Sequence, residues 1–403
     1  MKSLVLSFSD TGGGGRAAIN IFKSLKISGI NSSLYVKNKK TNLVYVKNFF
    51  KANSSLLDKY KEKINRNVCK LESKNTYSYQ SPSIFPTFVN KKINYLEYDI
   101  FHLCWINEFL SIEDIGKLNK PIVWSICDMW PFTGINHYDD YDETAPWRKS
   151  HFISLKKFSI DKWVMNRKIK AWKKLMNIVV PNKWMYDCVK DSKIMSNFDC
   201  HIIKWPVDEK IFFQKNKKEC KNRFNLNKSR KLLIFGISNG LNDKRKGWKY
   251  LEKAIQLTKT EFDLLIFGIK KPSNFNLKIQ GNIYFKDKIN DDSELCDLYN
   301  SADCLILPSL NDNTPLISQE AQMCGLPIVL FDHNGLSDVI KHKLNGYKAI
   351  PEDSLSLAQG IDWVLENLND DKLINNSLLD SENIKLKFIG NEYKKLYEKI
   401  LNR

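Results

Sequence analysis

Three short stretches carry residue types able to act on a phosphorylated ligand. In "SNGLNDKRKGWKYLEKAI", Lys244, Arg245 and Lys246 precede Gly247 just after the apolar run "KLLIFGI". Cations at the carboxyl end of a strand suit a pyrophosphate, because a guanidinium fork and an ammonium point charge both stabilise negative charge on a leaving group. A solvated basic loop is the competing explanation in a chain with 63 Lys and Arg. In "LPSLNDNTPLISQEAQMCGLP", Asp312 and Glu320 stand eight apart. A strand is expected to end at Pro308, with Thr314 capping and Pro315 opening a helix whose free amides attract phosphate. With that start Asp312 and Glu320 both face the ligand, Glu320 accepting from a ribose diol. An ordinary cap followed by a solvated glutamate is the plainer alternative. The third stretch is "SDTGGGGRAA", where four glycines, Gly12 to Gly15, follow the apolar "SLVLSF" and precede Arg16.

Read as Gly12, Gly14 and Ala17, the glycines fit the dinucleotide pattern G-x-G-x-x-A. That pattern wants an acidic residue about 20 positions further on, whereas the next strand, "SSLYVKNKK", ends in Lys37, Lys39 and Lys40. A nicotinamide oxidoreductase is therefore disfavoured. The glycines read better as a loop where backbone approaches a phosphorylated ligand with no Cβ in the way. Gly13, Gly14 and Gly15 then line that ligand. Arg16 points toward its phosphates, with a plain surface ion pair as the equal alternative.

The elements that must position these groups alternate between short apolar runs and segments of helical period, as in a parallel α/β layer. "SLVLSF", "NSSLYVK", "DIFHLCW", "PIVWSIC" and "NIVVPN" form one series; "KLLIFGI", "FDLLIFG", "GNIYFKD", "DCLILPS" and "PIVLFD" form a second. Pro206 breaks the chain between them, with a linker over residues 204–212. The predicted organisation is one domain over 1–205, a second over 206–385 and a closing helix over 386–403. Two α/β domains place a ligand site at the carboxyl ends of their strands.

Composition narrows the partners. At 403 residues the chain exceeds one typical core of about 100–150 residues. It has no apolar run near the roughly 20 residues that span a bilayer, and its N-terminus does not read as a secretory signal. Nine scattered cysteines without C-x-x-C pairs suggest neither a disulfide framework nor a zinc site, and fit the cytoplasm. The net charge of +18 favours polyanions: nucleic acid, anionic lipid or phosphorylated substrates. Nucleic acid is disfavoured because the basic residues spread over both halves and no zinc-finger or RNP-like motif is visible. Residues 155–175, "LKKFSIDKWVMNRKIKAWKKL", carry eight Lys or Arg against one Asp, with Phe158, Trp163, Ile169 and Trp172 interleaved. This reads either as a basic amphipathic helix for the inner face of the cytoplasmic membrane or as a surface helix packed on its own domain.

The order of a strand, "KRKGW", "LYNSADCLILPSLNDNTPLISQEAQMCGLPIVLFDHNGLSDVI" and "NGYKAI" resembles the donor-nucleotide domain of family 4 retaining glycosyltransferases, which have the GT-B fold. Asp312-x7-Glu320 before Cys324-Gly325 is similar to the family's E-x7-E signature, with Asp for the first Glu. The resemblance covers nearly the whole chain. "DIFHLCWINEFLSIEDIGKLNKPIVWSICDMWPFTGINHY" and "VVPNKWMYDCVKDS" resemble members that build bacterial exopolysaccharide and lipopolysaccharide.

The resemblance implies two Rossmann-like α/β/α domains facing each other across a cleft, with a C-terminal helix crossing back to the first. It implies transfer of a sugar, with retention, from a UDP- or GDP-linked nucleotide diphosphate sugar to a hydroxyl of a growing surface glycan, lipid-linked in many relatives. No metal or other cofactor is expected. Lys246 and Arg245 would neutralise the diphosphate, Glu320 hold the ribose and Asp312 contact the donor sugar. Gly236, Asn313, Thr314 and Pro315, with Gly13, Gly14 and Gly15, would complete the donor side; Arg16, Asp128, Trp130 and His137 would lie on the acceptor side, with core packing as the equal alternative for Trp130. Two departures stand out. Ile237 follows Gly236 where many relatives have Arg, and Cys127 occupies a place where the family usually shows His. A non-catalytic relative is the alternative that Cys127 raises.

Overall fold

The computed structural model describes residues 1–403 apart from 51–55, 73–78, 140–142, 151–158, 175, 239 and 403. It divides into two units, one of Met1–Pro206 with Leu386–Arg403, the other of Val207–Lys385.

The first unit runs β1 (Lys2–Ser9), α1 (Gly12–Ile27), β2 (Asn31–Asn38), β3 (Val46–Asn48), α2 (Leu56–Glu72), α3 (Val89–Ile93), β4 (Ile100–Leu103), α4 (Ile112–Gly116), β5 (Ile122–Ser125), α5 (Ile160–Ala171), β6 (Asn177–Val180), α6 (Lys183–Asp191) and β7 (Asp199–Ile202). Among the described residues the strands form one sheet of seven, in the order β3-β2-β1-β4-β5-β6-β7. Neighbouring strands are parallel, Val5 lying opposite both Leu34 and His102. The central strands are buried along their length, as expected of a parallel sheet covered on both faces. Leu4, Leu6, Phe101, Leu103, Trp124 and Ile178 share one core cluster. Local chemistry starts the helices: Ser111 and Asp114 form a reciprocal capping box on α4, Ser159 caps α5 and Asn182 caps α6.

The second unit runs α7 (Lys217–Arg223), β8 (Leu232–Gly236), α8 (Trp248–Leu257), β9 (Asp263–Phe267), β10 (Ile283–Lys286), α9 (Asp292–Ser301), β11 (Cys304–Leu307), α10 (Leu316–Met323), β12 (Ile328–Phe331), β13 (Gly346–Ala349), α11 (Ser354–Glu366) and α12 (Lys372–Ser381). Its strands form a parallel sheet ordered β10-β9-β8-β11-β12-β13. Each central strand feeds two cores by alternation. Leu232, Ile234, Leu305, Leu307, Ile328 and Leu330 pack on one face, and Leu233, Phe235, Cys304, Ile306, Val329 and Phe331 on the other.

The chain then returns to the first unit as α13 (Leu386–Leu401), which lies against α1 so closely that a Cβ on Gly390 would overlap the Ser24 carbonyl. A buried polar chain ties α13 to the sheet. His102 bonds the Tyr397 hydroxyl through Nδ1 (2.6 Å) and Ser125 Oγ through Nε2 (2.7 Å), and Ser125 Oγ meets the Tyr393 hydroxyl at 2.9 Å. Burial lowers the His102 pKa to about 3, so the ring is neutral.

The α5 helix answers the question raised by the basic stretch for residues 160–171; residues 155–158 and 175 lie outside the described residues. Lys168 is fully buried. Its ammonium donates to the carbonyls of Trp130, Thr133 and Gly134 and sits over the Trp130 ring. Trp172 is buried as well, donating to Ile112 O at 2.8 Å. The apolar stripe of this helix therefore packs on its own unit, while Trp163, Lys170, Lys173 and Lys174 remain exposed. No helix among the described residues is long and apolar enough to cross a membrane.

Candidate active site

In a doubly wound sheet, ligands gather where strand order reverses, outside the carboxyl ends of the strands. The second sheet reverses between β8 and β11, and there the predicted cations and carboxylate meet. Asp243 caps a single 3-10 turn, Lys244–Lys246, by accepting from Arg245 N at 3.1 Å. Gly247 ends the turn at φ +71°, where a Cβ would overlap the Pro308 carbonyl at the end of β11. Leu310 N donates to Arg245 O at 2.8 Å, fastening the basic turn to the β11 loop.

The result is a cluster of two cations and two carboxylates, Arg245 also lying 3.8 Å from Asp243 Oδ2. Lys246 Nζ donates to Asp312 Oδ2 at 2.6 Å, and Arg245 donates to the same oxygen at 3.2 Å and to Asn311 O at 3.1 Å. Asp312 is only 6% exposed. Burial would raise its carboxyl, but Lys246 and Arg245 outweigh that and hold it below the usual carboxylate range. Lys246 moves the other way. Burial lowers its ammonium below the ordinary lysine range, Arg245 adds to the lowering, and Asp312 offsets it only in part. Two cations thus share one anionic oxygen, with Asp243 as a second carboxylate beside Arg245.

The rest of the predicted donor set is placed differently from the sequence reading. The helix begins at Leu316, with Pro315 rather than Thr314 in the cap position and no side-chain cap hydrogen bond. Proline's fixed φ serves there as the entry to the helix instead of its first turn. Glu320 is not a solvated residue; it is fully buried, its Oε2 accepting from the Tyr299 hydroxyl of α9 at 3.0 Å. Asn313 is buried beside the cluster, and Thr314 and Pro315 are half-buried. Gly236 has a packing reason: a Cβ there would come within 2.6 Å of the Phe267 ring.

In the first unit the glycines do not form a loop. They are the first turn of α1, which begins at Gly12 without a side-chain cap from Thr11. Gly12 has φ +73°; a Cβ on Gly14 would meet Trp105 Cβ at 2.7 Å, and one on Gly15 would meet Ser9 O at 2.6 Å. Gly12 and Gly13 are exposed, with open space where a Cβ would stand. Arg16 follows, half-buried, in the same helix.

Asp128 and His137 are joined. His137 Nδ1 meets Asp128 Oδ2 at 2.6 Å, and its Nε2 lies 2.9 Å from Ser81 Oγ and 3.3 Å from Asn107 Nδ2. Of the two readings of Trp130 the structure has core packing: it is fully buried, its indole N–H donating to Ser81 O at 2.7 Å. With Trp124 and Trp172 packed around it and Lys168 over its face, it offers no surface to an acceptor. Cys127 is half-buried. Burial, with Cys104 and Asp128 beside it, pushes its thiol up, so it is neutral.

Sequence reasoning missed Trp105, Tyr299 and Asp243. Trp105 and Asp243 each follow the carboxyl end of a central strand, a position that could have singled them out; Tyr299 lies in a helix with no local signal. Among the described residues no group of three or more His, Cys, Asp or Glu side chains is gathered as a metal site.

Residues 217–380 match the family model described as Glycosyl transferases group 1. An uncharacterised glycosyltransferase of Methanocaldococcus jannaschii is 30% identical over 131 residues, 30% of this chain and 33% of that protein. The N,N'-diacetylbacillosaminyl-diphospho-undecaprenol alpha-1,3-N-acetylgalactosaminyltransferase of Campylobacter jejuni is 26% identical over 199 residues, 47% of this chain and 50% of that one. The chain thus spans a third to a half of the length of these curated relatives. Among solved structures, Anabaena HepE in complex with UDP and glucose superposes with a TM-score of 0.65 at 14% identity, covering 99% of this chain and 100% of that one. WaaG, a glycosyltransferase involved in lipopolysaccharide biosynthesis, gives 0.60 at 12% identity, covering 98% and 99%. The chain accordingly has the GT-B fold of two parallel-sheet, Rossmann-like halves, and its residues 217–380 are a Glycosyl transferases group 1 domain.

Proposed function

We propose that this protein is a retaining glycosyltransferase of family 4 that moves a sugar from a UDP- or GDP-linked donor to a hydroxyl of a bacterial surface glycan. The observation that carries the proposal is the Lys246–Asp312–Arg245 cluster, half-buried, with two cations on one carboxylate oxygen, set at the strand reversal of the group 1 domain. A diphosphate is an anion that both cations can meet. Lys246 and Arg245 then stabilise it as it departs, in the place a divalent cation takes in other transferases. Asp312, held in position by both cations, contacts hydroxyls of the donor sugar, and the uncapped amides of α10 meet its phosphate. Glu320, fixed by Tyr299, takes the ribose. The sugar–phosphate bond breaks, the acceptor oxygen bonds the same face of the anomeric carbon, and its proton passes to the leaving phosphate oxygen.

Support for a UDP-linked donor comes from the UDP bound to HepE, and for a lipid-linked or surface glycan acceptor from the names of the Campylobacter relative and of WaaG. In this reading the protein works in the cytoplasm, and the exposed Trp163, Lys170, Lys173 and Lys174 form its contact with the inner leaflet. The test is a thermal-unfolding panel of UDP, GDP, dTDP and ADP. The right nucleotide at 100 times its Kd adds about 2.7 kcal/mol of stability. No response to any of the four would refute the proposal. Stabilisation by UDP without turnover of any UDP-sugar would mark a binding protein instead of an enzyme.

A further inference from the structure

The two strand reversals of this chain carry different chemistry. That of the second sheet gathers charge. That of the first, between β1 and β4, gathers aromatic rings around the Asp128 carboxylate. Trp105 follows β4 and rests against the first turn of α1, where Gly14 leaves room for its Cβ. Its indole N–H donates to Asp128 Oδ2 at 3.1 Å. Beside it Tyr79 is 45% exposed, its ring 5.8 Å from Trp105 at 45° and 4.5 Å from His137, edge-on at 77°. Asp128 is fully oriented: His137 and Trp105 hold Oδ2, and Trp130 N donates to Oδ1 at 3.1 Å. A carboxylate oxygen has two lone pairs, so Oδ1 retains one for a further donor.

A large, exposed tyrosine ring is not required by the core, and the adjoining backbone at Gly13 is open. A pyranose needs what stands here. One face of the ring is lined with C–H bonds and packs on an aromatic surface, while its rim of hydroxyls donates to an oriented carboxylate. A phosphate would be repelled by Asp128.

We propose that Tyr79 and Trp105 form the stacking platform for a pyranose ring of the acceptor, with Asp128 accepting from one of its hydroxyls. This rests on the transferase reading and assigns the acceptor-side aromatic role to Tyr79 and Trp105 in place of the buried Trp130.

The test is saturation-transfer NMR on the full chain with methyl α-D-glucopyranoside, methyl α-D-galactopyranoside and methyl α-D-mannopyranoside as probes. Ring C–H protons of at least one probe should receive saturation. Tyr79→Ala should weaken that binding about tenfold, the scale of one lost stacking contact, and Tyr79→Phe should retain it. Tyr79→Leu keeps the bulk without the ring, so equal loss in Tyr79→Ala and Tyr79→Leu at unchanged melting midpoint separates stacking from folding. Unchanged saturation in both variants, or none from any probe in the wild type, overturns the platform. The UDP response of the same wild-type sample reads the other unit. A UDP shift without pyranoside saturation overturns the platform alone; saturation without any nucleotide response overturns the transferase reading and leaves a sugar-binding unit.

Discussion

Lys246→Met and Asp312→Asn remove opposite halves of the same 2.6 Å ion pair, yet they should have opposite consequences. Lys246→Met keeps the aliphatic stem and deletes the charge. Asp312 still has Arg245 at 3.2 Å, and the burial cost that lowers the Lys246 ammonium disappears. Folding stability should therefore change by no more than about 1 kcal/mol. A diphosphate, however, loses a charge-assisted hydrogen bond of about 1.5–3 kcal/mol, so UDP should bind about 10- to 150-fold more weakly. Asp312→Asn leaves two half-buried cations with an amide in place of their shared carboxylate and only Asp243, 3.8 Å from Arg245, as counter-charge. Breaking a buried pair in that way costs about 3–5 kcal/mol, and the low end applies because Lys246 keeps 16% of its side-chain surface exposed. UDP should rescue this variant, restoring about 2.7 kcal/mol at 100 times its Kd. Urea unfolding with and without UDP measures the first quantity, and isothermal titration calorimetry the second. Equal loss of stability in both variants with UDP affinity unchanged would refute the idea that the cluster is an anion site rather than a structural ion pair.

Three further outcomes follow from particular groups. The protonated Lys246 is the form that meets diphosphate. Because burial lowers its ammonium, UDP affinity should decline with rising pH at a lower pH than an exposed lysine would give; a flat titration profile would count against this role. His102 is held neutral with a pKa of about 3, so between that value and the unfolded value of about 6.5 the unfolded chain binds the extra proton. Stability should fall with falling pH by up to about 1.4 kcal/mol per unit there, and His102→Gln should lessen the slope measured by urea unfolding. Gly247→Ala should cost at least about 2 kcal/mol, from its positive φ and the overlap with Pro308. Gly13→Ala, open on all sides, should leave stability unchanged or raise it by about 0.5–1 kcal/mol; a matched loss at both glycines would contradict the packing described.

The central strands were legible because each is a continuous apolar run, and runs of that kind have few alternatives to burial in a parallel sheet. The edge strands β3, β7 and β13 escaped notice. "VKN", "DCHI" and "GYKA" are short or polar, and pairing along one edge rather than composition makes them strands. The basic turn and Asp312 were legible because both sit next to strand ends. What a linear reading could not supply was burial. It left Glu320 between ligand and solvent, Trp130 between core and acceptor, and the basic stretch between membrane and its own domain, because the environments of Glu320, Trp130 and Lys168 are set by Tyr299, Ser81 and three loop carbonyls distant in sequence. The glycines show the same limit in another form. Their spacing suggested a cofactor loop, whereas packing accounts for Gly14 and Gly15 and backbone conformation for Gly12.

The bond between α13 and the first sheet bears on how the chain is made. His102, Ser125, Tyr393 and Tyr397 complete one buried polar chain, but the residues that supply its two halves are separated by all of Val207–Lys385. At a synthesis rate of about 5–20 residues per second, roughly ten to forty seconds pass between the emergence of Pro206 and that of α13. During that interval α1 lacks its cover and His102 lacks its tyrosine partner. The first unit is thus the first to begin folding and the last to finish. The second, contiguous unit can fold in the meantime. Nascent chains halted before Leu386 should therefore hold a protease-resistant second unit beside a first unit that is still open to cleavage.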